Sequence, residues 1–485
     1  MKKLVLLLIC ALISMGVLAQ HPDFEIQAKV TKNITSDTSK IATGSTISVT
    51  EVEYYIDSES LTPNIIYTFK TSDNQEFNLR SSRSSLPIDF IVNDIQDLWD
   101  KHIIESVIPS FAYSVGDDMY QYKLRQELES DAIQYVSLIQ DNGLELDDLY
   151  LESYIYSLIS KIAPKYLLDG RPGNVNIIIE QNPSINACCF PNGTIVINSG
   201  LIAAMHTEDE LVAILSHEIA HFVLDHAIQN INASIKRQKR AEFWANLATF
   251  VTAVAEGVVA ANSNYYIPGY ATASVATMST IIASNVIKES GMEYSHQQEK
   301  EADALAIEVL KILGYDPNAL STALSRIEEV FVDERNQAIY FDSYSHPALV
   351  KRIQRTGEPS NVRNAKFEQI ASFAVTNAAL MKYSNRRFRQ CLSLVSQNID
   401  NNVATTDDYI LKALCLLSLE DTPDSNKQVL YYIDKAKKIE PDNINIYKTE
   451  IIATLRCNQY DQALELLQIY ISKLTTESEK ISTIH

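Results

Sequence analysis

The chain contains no run of five basic residues, and its acids outnumber its bases by 61 to 41, giving a formal charge of −20. Nucleic acid and bare anionic membrane both call for the opposite sign, so neither is expected as the primary partner. Cysteine is scarce, with six in 485 residues. Cys10 falls in the leading apolar segment. The others, Cys188, Cys189, Cys391, Cys415 and Cys457, are odd in number and lack a framework spacing, so the fold is not expected to depend on disulfides. The low hydrophobicity of a disordered chain is missing too. Apolar residues make up 46% and charged residues 21%, the profile of a folded protein. The length exceeds what one core organises, and two to four domains are expected. Histidine is rare, with nine in the chain, yet three of them crowd into "SHEIAHFVLDH", Ser216 to His226.

The opening segment "MKKLVLLLICALISMGVLA" has a two-lysine start, an apolar core and a small-residue end. It reads as a secretory signal peptide over 1–19, cut after Ala19. Its removal leaves 39 bases against 61 acids, a charge of −22. Cys10 lacks the small preceding residue of a lipidated cysteine, and the polar "QHPDFE" that follows argues against a retained anchor. Export to a bacterial periplasm is the expected localisation, as a soluble or membrane-associated protein.

Residues 20–85 alternate in β-branched and aromatic residues between turn signals and read as a β-rich module. Helical periodicity takes over from about Tyr120. "NIIIEQNPSINACCFPNGTIVINSG" then gives β-rich segments around turns at Asn182-Pro183 and Pro191-Asn192-Gly193, which predicts a small sheet. Thr207 is expected to cap the next helix, with Glu210 closing a reciprocal capping box. From 365 to 480, Cys391, Val429 and Ala463 recur 38 and 34 residues apart in similar helical segments. A period of 34, with Ala436 and Pro441 in consensus positions, predicts tetratricopeptide-like repeats and a concave binding surface.

The histidine cluster is the chemical signal. On a helix, His217 and His221 lie one turn apart, separated by about 40° around the axis. They can reach one ion, with Glu218 beside them to take a proton from water; this is the H-E-x-x-H pattern. The surrounding "LVAILSHEIAHFVL" is apolar, and burying these groups without a partner would be costly. A catalytic zinc site takes three protein ligands and leaves one position open. Glu299, on the helix in "HQQEKEADALAIEVL", is the candidate third. Asp303, one turn on, is placed to accept from a ligand imidazole. Glu301 reads as a solvated charge, His226 as structural, and His296 as a surface residue with an accessory-ligand role as the alternative.

"NACCFPNGTIVINSGLI", "EDELVAILSHEIAHFVLDH", "EKEAD" and "SHPALVKRI" together resemble the gluzincin metalloprotease family that includes the CAAX prenyl protease, HtpX and BepA. The likeness covers roughly 151–355. The export signal and the C-terminal repeats narrow it to the BepA-like branch. The resemblance implies one Zn2+ per chain on His217, His221 and Glu299, with Glu218 as general base. It also places His346 over the metal, assisting or inhibiting, and makes Arg352 an anchor for the loop that carries His346. Two features depart from the family. His296 stands where many members have arginine, and the β-rich module lies outside the family core.

The expected fold class is α+β. A mainly helical zincin-type domain with a small sheet (118–358) stands between the β-rich module and the helical repeat array. Segment 222–298 reads as a helical lid, with peripheral membrane contact as a further reading of its uncharged stretch. The expected activity is zinc-dependent hydrolysis of peptide bonds in unfolded or misassembled envelope proteins. The "NGTIVINSG" strand would offer its edge to substrate, as the family's architecture implies. The repeats would dock clients or an outer-membrane assembly machine. A repeat-based chaperone with a structural metal is the alternative, but a structural zinc is normally closed by four ligands, usually with cysteine, and has no use for Glu218. An integral membrane protease is a third reading, disfavoured by the signal peptide and polar content.

Overall fold

The computed structural model describes residues 25–35, 40–56, 63–81, 86–107, 120–165, 177–230, 294–336 and 349–484. The signal segment, most of the 222–298 lid and His346 lie outside them.

The chain opens with β1 (Ile26–Val30), β2 (Ile34–Thr35), β3 (Lys40–Ile41), β4 (Thr46–Ile56), β5 (Pro63–Thr71), β6 (Glu76–Ser81) and β7 (Ile88–Phe90). In β1, Ile26, Ala28 and Val30 point inward and the residues between them outward, the two-residue period of a half-buried strand. Five strands form an antiparallel sheet in the order β6-β5-β4-β1-β7, with β2 and β3 as a separate pair. β7 lies beyond residue 85, so the sheet extends past the boundary read from composition. β7 pairs antiparallel with β1 and forms one edge of that sheet.

Next comes α1 (Ile95–His102), capped by Asp94, whose side chain accepts from the Asp97 N–H. Its buried Trp99 donates its indole N–H to the Ile162 carbonyl at 2.8 Å. Two helices follow, α2 (Tyr120–Asp141) and α3 (Leu149–Ile162), and that bond fastens α1 to the end of α3. The sheet module and the helical domain share one continuous apolar core.

A three-stranded sheet follows: β8 (Ile177–Glu180), β9 (Ala187–Cys189) and β10 (Ile195–Asn198) in the order β8-β10-β9. β10 runs parallel to β8 and antiparallel to β9. Gly193, at φ 84°, makes the β9–β10 turn that the Asn-Gly signal predicts. The expectation that "NGTIVINSG" offers a free edge is corrected here. Its strand is β10, hydrogen-bonded on both sides, and β8 and β9 are the edges. The misreading has a simple cause: strand order is set by tertiary pairing and leaves no mark in the local alternation of residues.

After β10 come α4 (Ser199–Ala204), α5 (Glu208–Val223), α6 (His226–Asn230), α7 (His296–Leu313), α8 (Ala319–Asn336) and α9 (Leu349–Thr356). At Gly200, an added Cβ would lie 2.5 Å from both the carbonyl carbon and oxygen of Pro183, a backbone that cannot swing aside. Gly200→Ala is therefore expected to destabilise the fold by about 1–3 kcal/mol. An unchanged denaturation midpoint would show that the Pro183 turn yields.

The C-terminal region is helical throughout: α10 (Ala365–Ser384), α11 (Phe388–Asp400), α12 (Thr406–Leu419), α13 (Pro423–Ile439), α14 (Ile444–Arg456) and α15 (Tyr460–Ile484). Consecutive helices pack as neighbours, and α12 also touches both α10 and α14, so the first helices of successive hairpins stack. Cys391, Val429 and Ala463, equally placed in the sequence pattern, are all buried on α11, α13 and α15. Val375 and Ala378 of α10 pack on Ala203 of α4, which joins this region to the site-bearing domain. The architecture is mixed, mainly helical with small sheets. No helix among the described residues is long and apolar enough to cross a membrane.

Candidate active site

The site is built on α5. Thr207 caps it, its hydroxyl accepting from the Glu210 N–H at 3.2 Å. Three acids in the first turn complement the positive end of the helix dipole. Glu210 does not close the expected box. Its carboxylate reaches one residue further back to the His206 N–H at 2.7 Å and pairs with Arg326 at 3.2 Å. The rest of α5 is buried, including His217, Glu218 and His221, each with 2% or less of its surface exposed.

The second supporting helix is α7. Ser295 and Gln298 form a reciprocal capping box, with Ser295 accepting from the Gln298 N–H and Gln298 from the Ser295 N–H at 2.9 Å. One face of α7 packs along α5 through Ala302, Leu305, Ala306 and Val309, and this packing carries Glu299 and Asp303 to the histidines. Nε2 of His217 lies 3.1 Å from Nε2 of His221. Each Nε2 is 3.6 Å from one Glu299 oxygen. One donor atom from each of the three residues lies within 4.8 Å of the others.

These residues fit a zinc ion by their donor chemistry. A ligating imidazole needs its Nε2 lone pair free and its proton on Nδ1. His217 Nδ1 sits 3.2 Å from Asp303 Oδ1, a carboxylate that can only accept, which favours that tautomer; Arg352 Nη2 lies 3.3 Å from His217 Nε2. Burial alone would raise the Asp303 pKa. The hydrogen bond from His217 and the charge of Arg352 outweigh it and hold the carboxyl well below the usual range. Asp303 is thus a fixed anion behind the His217 ligand, as its spacing predicts.

Arg352, on α9, is fully buried and joins the two acids of α7. Its Nη1 lies 2.6 Å from Glu299 Oε2 and its Nη2 2.7 Å from Asp303 Oδ1. Arg355 pairs with the other Asp303 oxygen. Arg352 therefore sits inside the charge network, while the loop it was expected to anchor lies outside the described residues.

Three further residues complete the surroundings of the site. His226, read as structural, is buried against His221 and Tyr294 and lies outside the three-ligand cluster. Asp225 adopts φ 55° after α5 and turns the chain back. His226 Nδ1 then lies 2.8 Å from His221 Nδ1, and its Nε2 lies 3.3 Å from Glu301 Oε2. Burial pushes the His226 pKa down to about 4 despite that carboxylate, so the ring is neutral at ordinary pH. Glu301, read as a plain solvated charge, is half exposed and bound to His226. Tyr294, overlooked in the sequence, lies flat on His221 with ring centroids 3.6 Å apart. His296 is exposed at the start of α7 and does not join the three-ligand cluster.

Glu218 has neighbours of its own. Burial pushes the Cys188 thiol and the Tyr294 hydroxyl well above their usual ranges, and the nearby Glu218 carboxylate adds to both shifts. The helix that carries Glu218 packs on the edge strand β9, which carries Cys188.

Two imidazoles and a carboxylate held on two packed helices, with a second carboxylate, Glu218, next to them in the motif, are the residue set of a zinc-metalloprotease site. Residues 150–360 match the model of Peptidase family M48. The beta-barrel assembly-enhancing protease of Escherichia coli is 26% identical over 220 residues, 45% of this chain and 40% of that protein. Metalloprotease LoiP of Escherichia coli is 26% identical over 187 residues, 39% of this chain and 62% of LoiP. The mitochondrial metalloendopeptidase OMA1 of Schizosaccharomyces pombe is 25% identical over 178 residues, 37% of this chain and 44% of that protein. The chain spans less than two thirds of the length of each of these relatives.

Proposed function

We propose that this protein is a zinc-dependent endopeptidase that hydrolyses misfolded or stalled envelope proteins in the periplasm. The convergence of His217, His221 and Glu299 beside a buried Glu218 carries the reading. Zinc held by those three residues supplies a Lewis acid that lowers the pKa of water and polarises a carbonyl. Glu218 takes the proton of the attacking water and returns it to the leaving amine. Asp303 and Arg352 keep the His217 imidazole and the Glu299 carboxylate oriented toward each other. His346 belongs to the proposal as the group that meets the developing oxyanion, or that closes the site when idle.

The helix that carries Glu218 packs on the edge strand β9, and an extended peptide pairing with that strand's backbone would pass the site with little side-chain preference. That property suits unfolded clients, which vary in sequence. The C-terminal hairpins are proposed as tetratricopeptide-like repeats that dock clients or a partner. The name of the beta-barrel assembly-enhancing relative points to an outer-membrane assembly machine as that partner. Export follows from the signal segment at 1–19.

Metal removal tests the core of this reading. Dialysis against a chelator is expected to abolish cleavage of unfolded casein by the mature protein, and stoichiometric Zn2+ is expected to restore it. Cleavage that persists at zero metal content would overturn the proposal.

A further inference from the structure

The two histidine ligands are supported differently. His217 leans on a carboxylate, Asp303, which two arginines neutralise. His221 leans on another imidazole. Resting on the zinc-peptidase reading above, we infer that His226 and Glu301 form a positioning pair that orients His221 toward the metal.

The hydrogen-bond direction follows from atom identities. His221 Nε2 faces Glu299 and His217, so the lone pair must sit there for ligation and the proton must sit on Nδ1. That Nδ1–H points at His226 Nδ1, 2.8 Å away, which must therefore accept. An imidazole that accepts at Nδ1 carries its proton on Nε2, and His226 Nε2 lies 3.3 Å from Glu301 Oε2, a carboxylate that can only accept. One tautomer satisfies all three groups. Glu301 is itself held by the Gln297 amide, which donates to its other oxygen at 2.7 Å. Tyr294 covers the face of His221, so the ring is fixed in its plane by the stack and within it by His226.

The arrangement places an imidazole, buried to 1% exposure, between the ligand and a carboxylate that reaches solvent. Partners of this kind set the tautomer and basicity of a ligand, and their loss typically weakens metal binding by about 10–100-fold. His226 and Glu301 touch no substrate position, so they act through His221.

The test measures zinc affinity by chelator competition on the full mature protein. His226→Leu, which removes the acceptor, is expected to weaken zinc binding about 10–100-fold. His226→Asn, whose Oδ1 can take the place of Nδ1, should stay near the parent. Glu301→Leu should weaken binding in the same direction by less. Parental affinity in His226→Leu would overturn the inference, as would equal losses in the Leu and Asn variants, which would mark a packing effect.

A second readout needs no variant to keep its metal. In zinc-loaded protein with 15N-labelled histidine, His226 is expected to show an unprotonated Nδ1 and a protonated Nε2. The opposite tautomer sinks the inference even if His226→Leu fails to fold. Should the parent itself take up no zinc, the peptidase reading fails instead, and the two failures are thereby told apart.

Discussion

Glu218→Gln is expected to keep its zinc and lose its proteolysis, with kcat on unfolded casein falling by about 10²–10⁴. The size follows from the role. Glutamine fills the same space on α5 and can still hydrogen-bond, but it has no basic oxygen to take a proton. Glu218 is not one of the three clustered ligands, so metal content should not change. The side chain is buried, and an isosteric neutral replacement removes a charge from an apolar wall without opening a cavity. Stability should hold or rise. A variant that binds zinc and cleaves as well as the parent would remove Glu218 from the mechanism. A variant that also loses its zinc would show that the carboxylate holds the metal.

The second large effect is structural. Arg352→Met is expected to lower stability by about 3–5 kcal/mol, the cost of breaking a buried ion pair from one side. Arg352 is the cation between Glu299 and Asp303, and its loss leaves Glu299 facing a low-dielectric interior. Asp303 keeps Arg355 and His217, so the larger share of the cost falls on Glu299. Zinc would supply the missing positive charge. The deficit should therefore be largest in chelated protein and shrink when Zn2+ is added, as read by thermal unfolding with and without metal. Adding Asp303→Asn should recover part of the loss. A midpoint equal to the parent's in chelator would mean that Arg352 does not compensate the two acids.

Much of the candidate site was legible because it is local. His217, Glu218 and His221 sit within one and a half turns, and helix geometry alone puts the two imidazoles on one face. Glu299 and Asp303 were legible for the same reason, one turn apart on a helix whose apolar face was plain. What stayed hidden depends on how helices meet. His226 lies five residues past His221, a spacing that would turn it away on a continuous helix. The left-handed turn at Asp225 brings it back, and a non-glycine residue there gives no compositional warning. Tyr294 carried no signal in the sequence, and Arg352 gave none of its pairing with Glu299 and Asp303 until packing set them together.

The fold divides similarly. The β-rich start and the helical C-terminal region are visible as periodicities of two and three to four residues. The strand order β8-β10-β9 is not, because side-chain alternation is the same for an edge strand and a central one. The capping of α5 shows the limit at its smallest scale. Thr207 behaves as its type predicts, while Glu210 is drawn away by the His206 amide and Arg326, partners that only the tertiary structure supplies.

The cluster also draws together parts of the chain that are far apart in sequence: the Arg352–His217 contact spans 135 positions. No fragment that lacks α5, α7 or α9 contains all of its members, and no partly folded form can assemble them before these three helices have met. Competence to cut therefore has to wait for that meeting. A protease whose proposed prey is unfolded protein meets its own newly made copies in that same state. Spreading the site across three distant segments keeps each copy harmless until it has itself ceased to be a substrate.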